Sequence, residues 1–130
     1  MKSVFISLGA FCAFLGVGLG AFGAHALKAT LSPESLAVYQ TGVTYQMWHS
    51  LGLIAIALVQ QHTPESKLAV WAGWLMFLGI VLFSGSLYLL VLLDIPRLGV
   101  ITPIGGLCFL SSWLLLCLSA NKNKPKNRYQ

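Results

Sequence analysis

The residues whose types and spacing could support chemistry are concentrated in one stretch, residues 39–49, with the sequence YQTGVTYQMWH. At the helical period of 3.6 residues, Tyr39, Gly42, Gln46 and His49 fall on one narrow stripe. His49 is the only side chain that titrates near neutral pH and lies well inside an apolar segment. Such a stripe would suit an ion path, a small-molecule pocket, or hydrogen bonds between packed helices.

The composition defines the kind of protein that must position this stripe. The chain of 130 residues is 57% hydrophobic and only 8% charged, whereas a soluble domain carries about 25% charged residues. We therefore expect an integral membrane protein, with the lipid bilayer as its surroundings. The net charge of +5 does not indicate a nucleic-acid partner, because half of the basic residues cluster in the last nine positions, as at a cytoplasmic membrane flank.

Four apolar segments predict an all-α bundle of four transmembrane helices. The spans are expected at about residues 3–24, 40–60, 68–93 and 98–119. Together they form one predicted domain, residues 1–120, followed by a basic tail at 121–130 that we expect to be disordered and cytoplasmic.

Local sequence signals predict where some of these helices begin. Ser32 followed by Pro33 and an acid is a typical helix start, and Thr63 and Pro64 open a second copy of that pattern. For the last helix, the sequence leaves two alternatives open: it begins at Pro103, or a longer helix kinks there.

Basic residues predict the orientation of the bundle. Lys and Arg number six on the side that holds both termini and two on the other side, which favours cytoplasmic termini by the positive-inside rule. A cleaved signal peptide ending near Ala24 and Ala26 is the alternative for the first segment. Its apolar run is longer than the 7–15 residues usual for such peptides, so we favour a retained span.

With this topology, all four segments place unusual polar residues in the outer half of the membrane, while the inner half is expected to be almost entirely aliphatic or aromatic. We call this set the polar layer: His25, Tyr45, Gln46, His49, Ser84, Ser86, Tyr88 and Thr102. It forms either hydrogen bonds between helices or an outward-facing pocket or ion path.

Small residues predict close helix packing. In the first segment they recur at alternating steps of four and three residues, and further glycines occur in the third and fourth segments. The predicted packing set is Gly9, Ala13, Gly16, Gly20, Gly23, Gly85, Gly105 and Gly106.

No catalytic motif is present in the sequence. It contains no HExxH, GxSxG or Walker pattern, its three carboxylates lie in connections, and His25, His49 and His62 share no face. We therefore expect no enzymatic activity, no cofactor and no metal site.

Four blocks of the sequence carry a family resemblance: GAFGAHALK (20–28), YQTGVTYQMWH (39–49), LFSGSLYLL (82–90) and TPIGGLCFLSSW (102–113). In this order they resemble the small bacterial inner-membrane family of unknown function that includes the YgdD and YwdK proteins. The resemblance implies a four-span plasma-membrane protein and supplies no activity.

Two functions are consistent with these observations. The first is a non-enzymatic structural or interaction role, as a homo-oligomer or with other membrane proteins. The second is a small transporter, channel or small-molecule binder that uses the polar layer. A water-accessible cavity at His49 would favour the second, and a packed interior with His49 hydrogen-bonded across helices would favour the first.

Overall fold

A computed structural model describes residues 3–122 of the chain, and every regular element within that range is helical. The α-helices are α1 (Val4–His25), α2 (Pro33–His62), α3 (Lys67–Gly79), α4 (Gly85–Leu92) and α5 (Thr102–Lys122). A π-helical turn, Ile80–Ser84, joins α3 to α4, and short 3₁₀ turns occur at Leu27–Ala29 and Pro96–Val100.

Four helical stretches are long and apolar enough to cross a membrane, and they are Val4–Ala29, Pro33–His62, Lys67–Leu92 and Pro96–Lys122. The prediction of an all-α membrane protein with four spans is therefore confirmed. At 1.5 Å per residue, the 30 residues of α2 exceed the roughly 30 Å of a hydrocarbon core, so part of this helix must extend beyond it.

The starts of α2 and α5 follow from local chemistry. Ser32 precedes α2, and its hydroxyl accepts the backbone N–H of Ser35 at 3.2 Å, as the sequence predicted. α5 begins at Thr102, after a separate 3₁₀ turn at Pro96–Val100. Pro103 thus lies in the first turn of α5. A backbone N–H at that position would have no acceptor within the helix, so proline, which lacks the N–H, loses no hydrogen bond there.

The predicted cap at Thr63 is wrong. Thr63 instead ends α2, because its N–H and its hydroxyl both donate to the Val59 carbonyl, at 3.1 and 2.9 Å. α3 begins later, at Lys67, and the hydroxyl of Ser66 accepts the N–H of Ala69 at 3.3 Å. The predicted pattern of a cap, a proline and an acid was present, but its first residue, Thr63, is hydrogen-bonded to the end of the preceding helix α2.

The helices run up and down, so both ends of the described chain lie at the same end of the bundle. There the Ser3 hydroxyl donates to the Gln60 amide oxygen at 3.0 Å, and the hydroxyls of Ser66 and Ser119 lie 3.1 Å apart. We call this the Ser66 end. α5 continues through Lys122, past the predicted start of the tail at residue 121, and the remainder of that predicted tail lies outside the described residues.

The second and third spans are central, and the first and fourth are peripheral. Buried residues make up 44% and 39% of the most apolar parts of the second and third spans, against 22% and 17% in the first and fourth. The buried core includes side chains from all four spans: Phe5, Cys12, Leu53, Ile56, Ala57, Ala72, Met76, Ile80 and Phe109. Lateral contacts with lipid or other chains therefore fall largely on α1 and α5.

Candidate functional site

Gln46 is the polar residue that connects the most helices. Its Nε2 donates to the Cys12 carbonyl of α1 at 2.8 Å, and its Oε1 accepts from the Tyr88 hydroxyl of α4 at 2.7 Å. The side chain is only 4% exposed. Gly16 lies beside this contact: a Cβ there would collide with the Met47 sulfur at 2.5 Å, while its 3.5 Å distance from the Gln46 Nε2 would be an ordinary contact. Both ends of the amide are thus used within the bundle.

Two further bonds extend this contact along the same stripe of α2. The buried Tyr39 donates its hydroxyl to the Leu19 carbonyl of α1 at 2.6 Å, and its ring lies 5.3 Å from that of Tyr88. On the other side, the Ser84 hydroxyl donates to the Gly42 carbonyl at 2.7 Å. The polar stripe of α2 is therefore hydrogen-bonded to α1 on one side and to the third span on the other. Its two partners on α1 are backbone carbonyls, those of Cys12 and Leu19.

The π-helical turn orients the serines of the third span. The N–H of Gly85 bonds to the carbonyl five residues earlier, so the turn holds an extra residue and rotates α4 relative to α3. As a result Ser84 faces α2, while Ser86 lies 2.6 Å from the Thr102 hydroxyl of α5. Ser86 already donates to the Phe83 carbonyl at 2.9 Å, so Thr102 is the donor between the two hydroxyls.

His49 lies in an aromatic cluster between α2 and α5. Its Nδ1 is 2.7 Å from the Tyr45 carbonyl one turn earlier in the same helix. The ring stacks on Phe109 with centroids 3.5 Å apart and planes 10° apart, and Trp113 lies 5.8 Å away. Phe83, from the π-helical turn, adds a ring 4.6 Å from that of Tyr45. His49 therefore does not bond across helices, in contrast to one of the two expected outcomes.

The polar layer is thus divided into separate groups. Gln46 pairs with Tyr88, Ser86 with Thr102, and Tyr45 with His49, while Ser84 bonds to the α2 backbone. His25 is exposed at the end of α1 and contacts none of the others through a hydrogen bond or ring contact. His25 therefore stands apart from the bonded members of the layer, because the exposed end of a helix gives a polar side chain access to the surroundings.

The predicted packing glycines of α1 all lie against α2. A Cβ on Gly9 would lie 2.8 Å from the Ser50 carbonyl oxygen, which is a backbone atom and cannot move easily. Ala13 is only half-buried and borders a groove on the outer face of α1. The glycines with a side chain or backbone of α2 within contact distance are Gly9, Gly16, Gly20 and Gly23.

The predicted packing glycines of the third and fourth spans behave differently from one another. Gly105 lies directly on the backbone of Phe83, so that a Cβ there would collide with the main chain of the π-helical turn. A Cβ on Gly106 would reach only the Phe83 ring, at 4.0 Å, and one on Gly85 would meet open space. The packing role predicted for Gly85 is therefore wrong.

Sequence reasoning missed polar contacts outside the layer. The Ser50 hydroxyl donates to the Gln46 carbonyl at 2.6 Å, and the fully buried Ser112 donates to the Ala72 carbonyl of α3 at 2.5 Å. The half of the bundle nearer the Ser66 end is therefore not purely apolar inside. The signal was present, because Ser112 lies seven residues from Gly105 and seven from Ser119, a spacing that keeps one helix face toward a partner.

Among the open depressions on the described surface, two stand out, and neither of these includes a residue of the polar layer. One is an apolar groove of about 620 Å³ on α1, lined by residues such as Phe14, Val17 and Gly18. The other, about 210 Å³, lies at the Ser66 end beside Lys67 and Trp71. Within residues 3–122, no three His, Cys, Asp or Glu side chains gather in a way that could hold a metal ion.

Four membrane-length helices, with polar side chains bonded inside the bundle, define a multi-pass integral membrane protein. The chain belongs to the family described as protein of unknown function (DUF423), whose profile matches residues 19–106. The resemblance identified from the sequence blocks is thereby confirmed.

Relatives of this chain are named as membrane proteins. UPF0382 membrane protein SH2409 of Staphylococcus haemolyticus is 53% identical over 119 residues, which cover 92% of this chain and 96% of the relative. UPF0382 membrane protein YwdK of Bacillus subtilis is 50% identical over 119 residues, covering 92% of this chain and 97% of the relative. No solved structure matches the chain significantly. The comparisons therefore place the chain in a membrane family of unknown function.

Proposed function

We propose that this chain is a non-enzymatic interaction protein of the plasma membrane, a rigid four-span bundle that binds a second copy of itself or another membrane protein. The observation that supports this most directly is the use of Gln46. Both polar ends of its amide are bonded to other helices of the bundle. Groups that act on a substrate or conduct an ion need polar atoms directed at it, whereas these hold helices together.

The bundle also determines which surfaces a partner can reach. The second and third spans are central, so α1 and α5 provide most of the lateral surface. Large apolar side chains cover that surface: Phe14 is 72% exposed on α1 and Leu110 is 69% exposed on α5. An interaction role places protein contacts on these two helices, with lipid covering the remainder.

Site-specific photo-crosslinking in cells tests this role. A photoreactive residue at Phe14 or Leu110 is expected to yield a discrete protein adduct, identified by mass spectrometry. Val100 is the matched control, because it is equally exposed at 74% but lies in the connection before α5. Adducts with lipid alone at both helix positions, combined with a monomer on native purification, would contradict the interaction role.

We further propose that both termini are cytoplasmic. The six-to-two distribution of Lys and Arg supports this orientation, and the up-and-down fold puts both described ends at one end of the bundle. A fluorescent protein fused after Gln130 should fluoresce, and alkaline phosphatase fused after Arg97 should be active outside the cytoplasm. The reverse pair of results would overturn the orientation.

The alternative function, a small transporter, channel or small-molecule binder, is favoured by one observation only. This is the Nε2 of His49, which has no hydrogen-bond partner among the described residues.

A further inference from the structure

His49 has one polar atom that the bundle does not use. The Tyr45 carbonyl can only accept a hydrogen bond, so the His49 Nδ1 that contacts it carries the proton. The neutral ring therefore presents Nε2 as an acceptor, and no group within residues 3–122 donates to it. Every fully enclosed side-chain nitrogen or oxygen in that range does have a partner, so Nε2 must reach the molecular surface.

The opening at Nε2 is narrow and aromatic. His49 is only 6% exposed, with Phe109 stacked against one face of its ring. Tyr45 and Trp113 flank the ring, and each is about two-fifths exposed, at 42% and 43%. These rings offer aromatic contact to the apolar body of a ligand whose polar group reaches Nε2.

The chemistry of the opening also limits the ligand. An acceptor nitrogen in apolar surroundings is stabilised by a donor, and uncharged donors cross a bilayer interior at lower cost than ions. The three carboxylates of the chain, Glu34, Glu65 and Asp94, are all exposed and lie outside the transmembrane helices or at an end of one, so none of them provides a counter-charge beside His49. These features together favour a neutral donor that partitions into the membrane.

We propose that His49 binds a membrane-partitioned phenol or alcohol, whose O–H donates to Nε2 while its apolar body lies between Tyr45 and Trp113. The π-helical turn contributes indirectly, because it brings Phe83 against Tyr45 and so supports one wall of the site. This site is independent of the interaction role, since it uses an atom that takes no part in the contacts between helices.

A matched pair of probes tests the site on the full-length protein in phospholipid nanodiscs. 4-Propylphenol and 4-propylanisole have the same apolar body, but only the phenol has an O–H. With ¹⁵N-labelled histidine, the Nε2 signal of His49, assigned through the variant His49→Phe, should shift saturably with the phenol and stay unchanged with the anisole. Equal responses to the two probes, or a phenol response that does not saturate, would overturn the proposal. This comparison requires no variant to bind the probe, and His49→Phe is needed only in a folded state that allows the signal to be assigned.

Substitution of the wall provides a second test. Trp113→Leu should weaken phenol binding roughly two- to tenfold, as expected for the loss of one aromatic contact. Trp71→Leu is the matched control, because Trp71 is also exposed, at 63%, but lies near the Ser66 end. Equal weakening by both variants, or by neither, would contradict the assignment of Trp113 to the site. The Nε2 signal could also show that water already donates a hydrogen bond to this atom. If the phenol does not displace that water, the site is only hydrated, and the proposal is overturned.

Discussion

Replacement of Gln46 by leucine should destabilise the bundle more than the replacement of any exposed polar residue. Two interhelical hydrogen bonds are lost, one to the Cys12 carbonyl at 2.8 Å and one from Tyr88 at 2.7 Å. At about 0.6 kcal/mol for each such bond in a membrane, the direct loss is about 1.2 kcal/mol. The Tyr88 hydroxyl is then left without its partner, which adds about 1–3 kcal/mol. We expect the free energy of unfolding to fall by about 2–4 kcal/mol.

A double-mutant cycle separates the contact with Tyr88 from the other effects. Gln46→Leu, Tyr88→Phe and the double variant are unfolded reversibly in mixed micelles by titration with a denaturing detergent. The coupling energy between the two positions should be about 1.6–3.6 kcal/mol, because it contains both the shared bond and the cost of the unpaired Tyr88 hydroxyl, which the double variant lacks. Tyr45→Phe is the control, because the Tyr45 hydroxyl has no hydrogen-bond partner among the described residues, and it should change stability by less than about 0.5 kcal/mol.

One result would refute this reasoning directly. If the two single variants are each destabilised but their effects simply add, the amide and the phenol do not depend on each other, and the hydrogen bond at 2.7 Å does not stabilise the bundle. A loss for Tyr45→Phe as large as that for Tyr88→Phe would equally show that the tyrosine rings, rather than this bond, determine stability.

The remaining predictions concern packing and the missed serine. Gly9→Ala should lower thermal stability and separate α1 from α2, because its Cβ would meet a backbone oxygen. Gly18 faces open space, so Gly18→Ala should be neutral or stabilising by up to about 1 kcal/mol. Gly105→Ala should reduce the folded fraction in membranes and Gly85→Ala should not, as measured by protease resistance; equal effects would remove the distinction between packed and open glycines. Ser112→Ala should cost about 0.6 kcal/mol in detergent unfolding through its lost bond to α3, and no measurable change would show that bond to be dispensable.

The sequence could predict those features of the fold that depend on local signals. Apolar length alone gives four spans, and Ser32 before Pro33 gives the start of α2, because a cap depends on residues within one turn. The same signal failed at Thr63, where the carbonyls of the preceding helix competed for its N–H and hydroxyl. A local pattern therefore predicts a helix start only when no neighbouring helix end uses the same groups.

The contacts between helices were less predictable. Depth along the spans correctly brought Gln46 near Tyr88 and Ser86 near Thr102, but depth carries no information on rotation about the helix axis. Rotation in the third span depends on the π-helical turn at Ile80–Ser84, which no local sequence signal predicted. Partners that are backbone carbonyls, such as that of Cys12, are also invisible in a search for polar side chains.

Stability and ligand binding can be separated at His49. His49→Phe retains an aromatic ring against Phe109, which stacks on the present ring at 3.5 Å. The Tyr45 carbonyl remains bonded to the backbone N–H one turn later, so the loss of Nδ1 leaves no buried acceptor unpaired. Removal of an unpaired Nε2 costs the bundle nothing, so the free energy of unfolding should stay within about 0.5 kcal/mol of the original in the same detergent titration. A loss comparable to that of Gln46→Leu would mean that Nε2 is also bonded inside the bundle, and then it would not be available to a phenol.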